Sequence, residues 1–138
     1  MLKGKEKNAV VFGLTSNHIF AVASVMMDLK KYSPIIVDEI VVFLDKEIPE
    51  HDKNVLNTIF PTKFIIYDFP IKNTAIFNKG TFNYFSKMVF SKYECLRLLN
   101  DYKSVLWLDY DIVITKDISE LFAYCDSGIK MILSYGCP

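Results

Sequence analysis

The stretch Val105-Leu106-Trp107-Leu108-Asp109-Tyr110-Asp111 decides the fold, because four apolar residues run directly into two acids that stand one residue apart. An unbroken apolar run with branched and aromatic members is typical of a strand that is buried on both faces. The acids follow where this strand ends. Since ligands bind beyond the carboxyl ends of the strands in an open α/β sheet, the stretch predicts both a fold class and the place of a site.

Asp109 and Asp111 predict a metal site. Two carboxylates are costly to bury without a cation, and their hard oxygen atoms suit Mg²⁺ or Mn²⁺. An ion held by only two carboxylates keeps open positions that the oxygens of a diphosphate can fill. The alternative interpretation is a strand end with two solvated acids, because a DxD pattern is short and common by chance. Its position directly after a buried strand favours the metal.

The remainder of the chain alternates predicted strands and helices. Strands are predicted at residues 8–14, 39–45, 63–69 and 130–134, in addition to the one that precedes Asp109. Helices are predicted from the turn at 15–18 to about Tyr32, between Pro49 and Pro61, and from about Asn83 to Asn100. The last of these has a predicted buried face of Phe85, Val89, Tyr93, Leu96 and Leu99. This order predicts an α/β fold in which helices flank a mostly parallel, open sheet, as one domain spanning residues 1–138.

Composition excludes several classes of function. The 16 basic and 16 acidic side chains cancel, so no net positive field attracts nucleic acid or an anionic membrane. Three cysteines without a CxxC pattern favour reduced thiols and a cytoplasmic location, with peripheral association with a membrane as an open alternative. The apolar stretch at residues 9–27 is interrupted by the polar block Thr15–His18, which argues against a signal peptide or a transmembrane segment.

The turn Gly13–Asn17 ends the first predicted strand at the same edge of the sheet as the acids. Helix N-terminal N–H groups attract anions and polar ligands, and serine and asparagine side chains can bind a base or a ribose. Capping of the following helix by Ser16 or Asn17 is the simpler interpretation. Lys87 and Lys92 could neutralise a phosphate, but a solvated helix face explains them equally. The two common phosphate-binding glycine patterns are absent.

Several of these stretches, taken together, resemble glycosyltransferase family 8. They are a basic residue on a helix at 90–99, an apolar strand that ends in DxD at 102–112, and the turn Asp117-Ile118-Ser119-Glu120-Leu121. The stretch Leu14–Asn17 followed by the aromatic Phe20 looks like the family's first nucleotide-binding loop. The order and spacing of these parts match the family, and the resemblance covers nearly the whole chain.

The resemblance implies a Rossmann-like, nucleotide-binding half of a GT-A domain, the N-terminal part of a longer catalytic domain. It implies a retaining glycosyltransferase with a UDP-sugar donor, Mn²⁺ or Mg²⁺, and a glycan, lipid or protein acceptor. Asp109 and Asp111 would hold the metal, and no catalytic residue is assigned. The implied donor-binding residues are Leu14, Thr15, Ser16, Asn17, Lys92, Asp109 and Tyr110.

Two departures from the family pattern affect these expectations. Phe20 stands where family members usually have tyrosine, so one polar contact to the nucleotide is missing. His18 and His51 both precede the DxD motif, and therefore neither matches the family's later histidine metal ligand. We accordingly expect residues 1–138 to bind the donor weakly and to transfer sugar inefficiently.

Two other functions remain as alternatives at this point. In a haloacid-dehalogenase-like phosphatase, Asp109 would be the nucleophile and Asp111 the general acid, although that class has its DxD near the start of the domain. A non-catalytic nucleotide-binding or assembly module is the second alternative. In that case the open sheet edge would favour self-association.

Overall fold

The computed structural model describes residues 6–73 and 86–127, which form a layered α/β structure around one parallel sheet. The sheet has four strands in the order β3-β2-β1-β4. Every neighbouring pair is parallel. The strands are β1 (Asn8–Leu14), β2 (Glu39–Leu44), β3 (Thr62–Ile66) and β4 (Ser104–Trp107). The predicted α/β fold with a parallel sheet is confirmed.

Strand β1 lies in the interior of the sheet and has a core on each face. Val11 lies opposite Val41 of β2 on one side and opposite Trp107 of β4 on the other. Val10 and Phe12 point into one apolar core, and Val11 points into the other. Because both faces are covered, an unbroken apolar sequence is what this strand requires.

Two α-helices cover the first face of the sheet. Helix α1 (Ile19–Tyr32) follows the 3₁₀ turn Ser16–His18, and helix α2 (Glu50–Ile59) begins directly after Pro49. Both helices contribute to the core that contains Phe12, mainly through Val22, Val25, Met26, Leu29 and Leu56. Their bounds agree closely with the prediction. None of the helices in the described ranges has the length and apolar character that crossing a bilayer requires.

The prediction of one long helix that ends near Asn100 is wrong for the residues that the structure describes. A 3₁₀ segment runs from Lys87 to Glu94, and helix α3 (Cys95–Leu98) contains only four residues. Met88 and Ser91 are buried, whereas the positions predicted to be buried are open to solvent. The exposed fractions are 39% for Val89, 63% for Tyr93, 55% for Leu96 and 38% for Leu99. A 3₁₀ helix has about 3.0 residues per turn, so a face chosen with the α-helical period is the wrong one.

The strand that leads to the acids is shorter and less buried than predicted. It ends at Trp107, and Val105, Leu106 and Trp107 are only partly buried. The reason is that β4 pairs with β1 alone among the described strands. Strands β2 and β3 also end earlier than expected, at Leu44 and Ile66. The predicted helix start at Asn83, its Phe85, and the predicted strand at 130–134 lie outside the described residues.

Candidate functional site

The turn after β1 and the loop after β4 lie side by side at the carboxyl edge of the sheet. They meet there because β1 and β4 are parallel neighbours. The backbone N–H of Leu108 donates to the carbonyl oxygen of Val11 at 3.0 Å, which places Asp109–Asp111 immediately beyond the paired region. The structure therefore brings together the two stretches that the sequence singled out for a nucleotide and a metal.

His18 joins these two stretches. Its imidazole ring stacks on the ring of Tyr110, with 5.6 Å between the centroids and an interplanar angle of 26°. Its Nδ1 atom lies 3.3 Å from the Tyr110 hydroxyl oxygen and 3.3 Å from Oγ1 of Thr15. No local pattern indicates this contact, because it joins residues that are 92 positions apart.

Ser16 is held through its backbone rather than its side chain. Its N–H donates to Oδ1 of Asp45, the residue that follows β2, at 2.7 Å. Its Oγ atom is buried and has no hydrogen-bond partner among the described residues. The prediction that Ser16 or Asn17 caps the helix is wrong: Thr15 precedes the 3₁₀ turn, His18 precedes α1, and neither makes a side-chain cap bond.

The other predicted nucleotide residues of this turn differ in exposure. Leu14 is 1% exposed and belongs to the core, whereas Asn17 is open to solvent. Thr15 is half-buried and contacts His18. Asn17 and part of Thr15 are therefore accessible at this turn, whereas Leu14 and the Ser16 hydroxyl are buried beneath them.

Both candidate metal ligands, Asp109 and Asp111, are exposed. The indole Nε1–H of Trp107 donates to Oδ1 of Asp109 at 3.3 Å, so one of the carboxylates has an orienting contact. Across the described ranges, no group of three or more His, Cys, Asp and Glu side chains could enclose an ion. Two exposed carboxylates fit Mg²⁺ or Mn²⁺, which keep several waters or bind phosphate oxygens when the protein supplies few ligands.

The two candidate lysines have different surroundings. Lys92 is exposed on the 3₁₀ segment. Lys87 lies in the wall of a cleft of about 380 Å³ that also includes Asp45 and Tyr67. Its Nζ atom is 5.9 Å from the ring centroid of Phe69. Lys87 therefore lines the same cleft as Asp45, the carboxylate that holds the turn after β1, whereas Lys92 is not among the residues that line it.

The sequence model of glycosyl transferase family 8 matches residues 9–130, a range that includes the turn after β1 and both carboxylates. The chain belongs to glycosyl transferase family 8. This membership favours the transferase over the phosphatase alternative. The position of the DxD motif also argues against a phosphatase, because that class has its DxD near the start of the domain. No curated protein sequence matches the chain significantly.

The fold of this chain is similar to that of solved glycosyltransferase structures. The galactosyltransferase LgtC, in complex with donor and acceptor sugar analogues, has a TM-score of 0.62 at 15% identity, over 83% of this chain and 41% of LgtC. The bifunctional glycosyltransferase WbbM, in its apo form, has a TM-score of 0.59 at 16% identity, over 89% of this chain and 22% of WbbM. The chain therefore spans less than half the length of either protein, and its fold is that of the GT-A glycosyltransferases.

Proposed function

We propose that this chain forms the nucleotide-sugar-binding part of a metal-dependent, retaining glycosyltransferase that uses a UDP-sugar donor. The observation that carries the proposal is the contact between His18 and Tyr110. Through it, a turn suited to a nucleoside and a loop suited to a metal-bound diphosphate form one continuous surface. Family membership supports the same assignment.

The nucleoside side of this surface is the turn after β1. Ser16 supplies a buried hydroxyl that no described residue satisfies, and Asn17 supplies an exposed amide. A uracil edge or a ribose hydroxyl offers the donors and acceptors that such groups need. Because an unpaired buried polar group is unfavourable, a ligand that pairs with Ser16 gains affinity from this arrangement.

The diphosphate side is formed by Asp109 and Asp111, which would hold Mn²⁺ or Mg²⁺. When bound, the metal would act as a Lewis acid that neutralises the charge of the leaving nucleoside diphosphate. Trp107 limits the orientations of the Asp109 carboxylate through its N–H. A lysine near the diphosphate would add electrostatic stabilisation. The family resemblance gives this role to Lys92, and Lys87, which lines the same cleft as Asp45, is the second candidate.

The proposal is tested by calorimetric titration of UDP into the 138-residue chain, with and without Mn²⁺. We expect binding that requires the metal and that weakens about 100-fold or more in Asp109→Asn and Asp111→Asn, since even the loss of an outer partner of a metal ligand costs about 10–100-fold. Asp101→Asn is the matched control, because Asp101 is an exposed acid that precedes β4 instead of following it. A folded wild-type sample that binds no UDP, or that binds it equally without metal, would overturn the proposal.

A further inference from the structure

The segment that follows Asp111 is hydrogen-bonded to helix α1 and to Ser33, the residue directly after that helix. The backbone N–H of Ile114 donates to Oδ2 of Asp28 at 3.1 Å. The backbone N–H of Ile118 donates to Oγ of Ser33 at 2.9 Å. Ser33 is 2% exposed and Ile114 is 5% exposed, so both bonds lie against the protein interior. They fix a segment that pairs with none of the described strands.

The span that carries both carboxylates is consequently fixed at its two ends. At its start, the sheet holds Leu108 through the bond to the Val11 carbonyl. At its end, Asp28 holds Ile114. Asp109 and Asp111 lie between these two points, so both attachments restrict the backbone that carries them.

The second attachment, Ser33, is itself held in place by hydrogen bonds. The Ser33 hydroxyl donates to Oδ1 of Asp117 at 2.8 Å while its oxygen accepts the N–H of Ile118. Oδ1 of Asp117 also accepts from the backbone N–H and the hydroxyl of Ser119, at 3.0 and 2.6 Å. A serine used as both donor and acceptor has a fixed hydroxyl orientation, so this network limits the movement of the segment after Ile114.

We propose that Asp28 is a positioning residue for the metal site, which acts by fixing Ile114 and thereby the place of Asp111 relative to Asp109. The inference rests on the proposed function, because it requires that the two carboxylates share a metal. A bond from a backbone N–H to a carboxylate is roughly twice as strong as a neutral hydrogen bond. Ligands that are fixed before binding avoid the cost of ordering the loop when the metal and UDP arrive.

The experiment compares Asp28→Ala with Asp38→Ala. Asp38 is the matched control, because its Oδ2 also accepts a backbone N–H, that of Asn8 at 2.7 Å, but at the beginning of β1. For each variant we would measure urea unfolding and the Mn²⁺ concentration that gives half-maximal UDP binding. We expect both variants to lose stability, and only Asp28→Ala to require about tenfold more Mn²⁺. Asp28→Asn should restore most of the wild-type behaviour, because its amide oxygen can accept the same N–H.

Hydrogen exchange provides a second measurement if Asp28→Ala is too unstable for titration. Asp28→Asn and Ser33→Ala would then be compared. We expect faster exchange at Ile118 in Ser33→Ala, exchange at Ile114 close to the wild-type rate in Asp28→Asn, and a protected β1 in both. Unchanged Mn²⁺ dependence in a folded Asp28→Ala, with wild-type protein binding UDP, would overturn the inference and leave the proposed function standing. Failure of the wild-type protein to bind UDP at any Mn²⁺ concentration would overturn both.

Discussion

The backbone N–H of Ser16 donates to Oδ1 of Asp45 at 2.7 Å, and this bond ties the turn after β1 to the end of β2. The hydroxyl of the same serine is buried without a hydrogen-bond partner among the described residues. Ser16 is therefore fixed by its main chain, while its side-chain oxygen makes no hydrogen bond to the described residues. This combination distinguishes it from a serine that stabilises the fold through its hydroxyl.

Ser16→Ala should separate stability from ligand binding. A buried hydroxyl without a partner costs about 1–3 kcal/mol, so its removal should leave the free energy of unfolding unchanged or raise it by about 1 kcal/mol. The same change removes the group that we propose for the nucleoside, and UDP should bind about tenfold more weakly, which corresponds to about 1.4 kcal/mol. Urea denaturation and calorimetry measure the two effects on one preparation.

Ser104→Ala is the control for this prediction. Ser104 is also buried, but its hydroxyl donates to Oδ1 of Asn8 at 2.5 Å, and it begins β4 at the opposite edge of the sheet. Its replacement should lower stability by about 0.5–1.5 kcal/mol and leave UDP affinity unchanged. If Ser16→Ala behaved like Ser104→Ala in both measurements, the Ser16 hydroxyl would be a structural group and not a nucleotide contact.

Gly13→Ala should destabilise the fold by overpacking. A Cβ atom at Gly13 would lie 2.1 Å from Oγ of Ser91 and 2.5 Å from Cη2 of Trp107. Ser91 is fully buried and its hydroxyl donates to the Met88 carbonyl at 2.6 Å, so it cannot move away without losing that bond. Overpacking of this kind costs about 1–3 kcal/mol, and urea denaturation should show a decrease in that range.

A double-mutant cycle with Ser91→Ala checks the cause of this decrease. Ser91→Ala removes one of the two close contacts, so Gly13→Ala should cost less in the Ser91→Ala background than in the wild-type protein. Some of the cost should remain, because the contact with Trp107 is unchanged. Equal costs in the two backgrounds would show that the 3₁₀ segment at 87–94 does not pack on Gly13 in solution.

The parts of the fold that were predictable from the sequence are those in which one local pattern dominates. Asn8–Leu14 and Glu39–Leu44 form strands with both faces buried, and their apolar runs are unbroken. Helix α1 ends at Tyr32, directly before the Ser33-Pro34 pair, since the residue before a proline disfavours the helical conformation. These signals need no knowledge of the remaining structure.

The segment at 87–98 was not predictable in the same way. Its buried residues are Met88, Ser91 and Leu98, and the first two are spaced by a 3₁₀ turn. Ser91 packs on the sheet where Gly13 provides the space, a contact between residues that are distant in sequence. Apolar periodicity alone indicates an α-helix here and selects the exposed face.

The residues of the candidate site likewise fall into those that local sequence patterns predict and those that they do not. The positions of Ser16 and Asp111 follow from the ends of two predicted strands, which the parallel sheet brings to one edge. Asp28, Asp45 and His18 carry no local pattern, and their contacts join residues that are 86, 29 and 92 positions apart. Single polar residues of this kind are indistinguishable from solvated ones until the tertiary structure is known.

Asp117 should make the stability of the chain depend on acid pH. Hydrogen bonds from the Ser119 hydroxyl, from Ser33 and from the Ser119 backbone N–H lower the pKa of Asp117 below its ordinary value of 3.8. Between the lowered folded pKa and the unfolded pKa, the unfolded chain binds more protons than the folded one. The stabilisation is therefore fully present above the unfolded value and is lost as the pH falls through the folded value.

Asp117→Asn removes this titration while keeping an oxygen that can accept a hydrogen bond. Wild-type stability should accordingly fall more steeply than that of Asp117→Asn as the pH decreases from about 5 to about 2.5. Urea denaturation at a series of pH values measures the difference between the two curves, which cancels the contributions of other carboxylates. Asp101→Asn, which changes an exposed acid outside this network, should follow the wild-type curve. Parallel curves for the wild-type protein and Asp117→Asn would mean that Ser33 and Ser119 do not hold the charged form of Asp117 in solution.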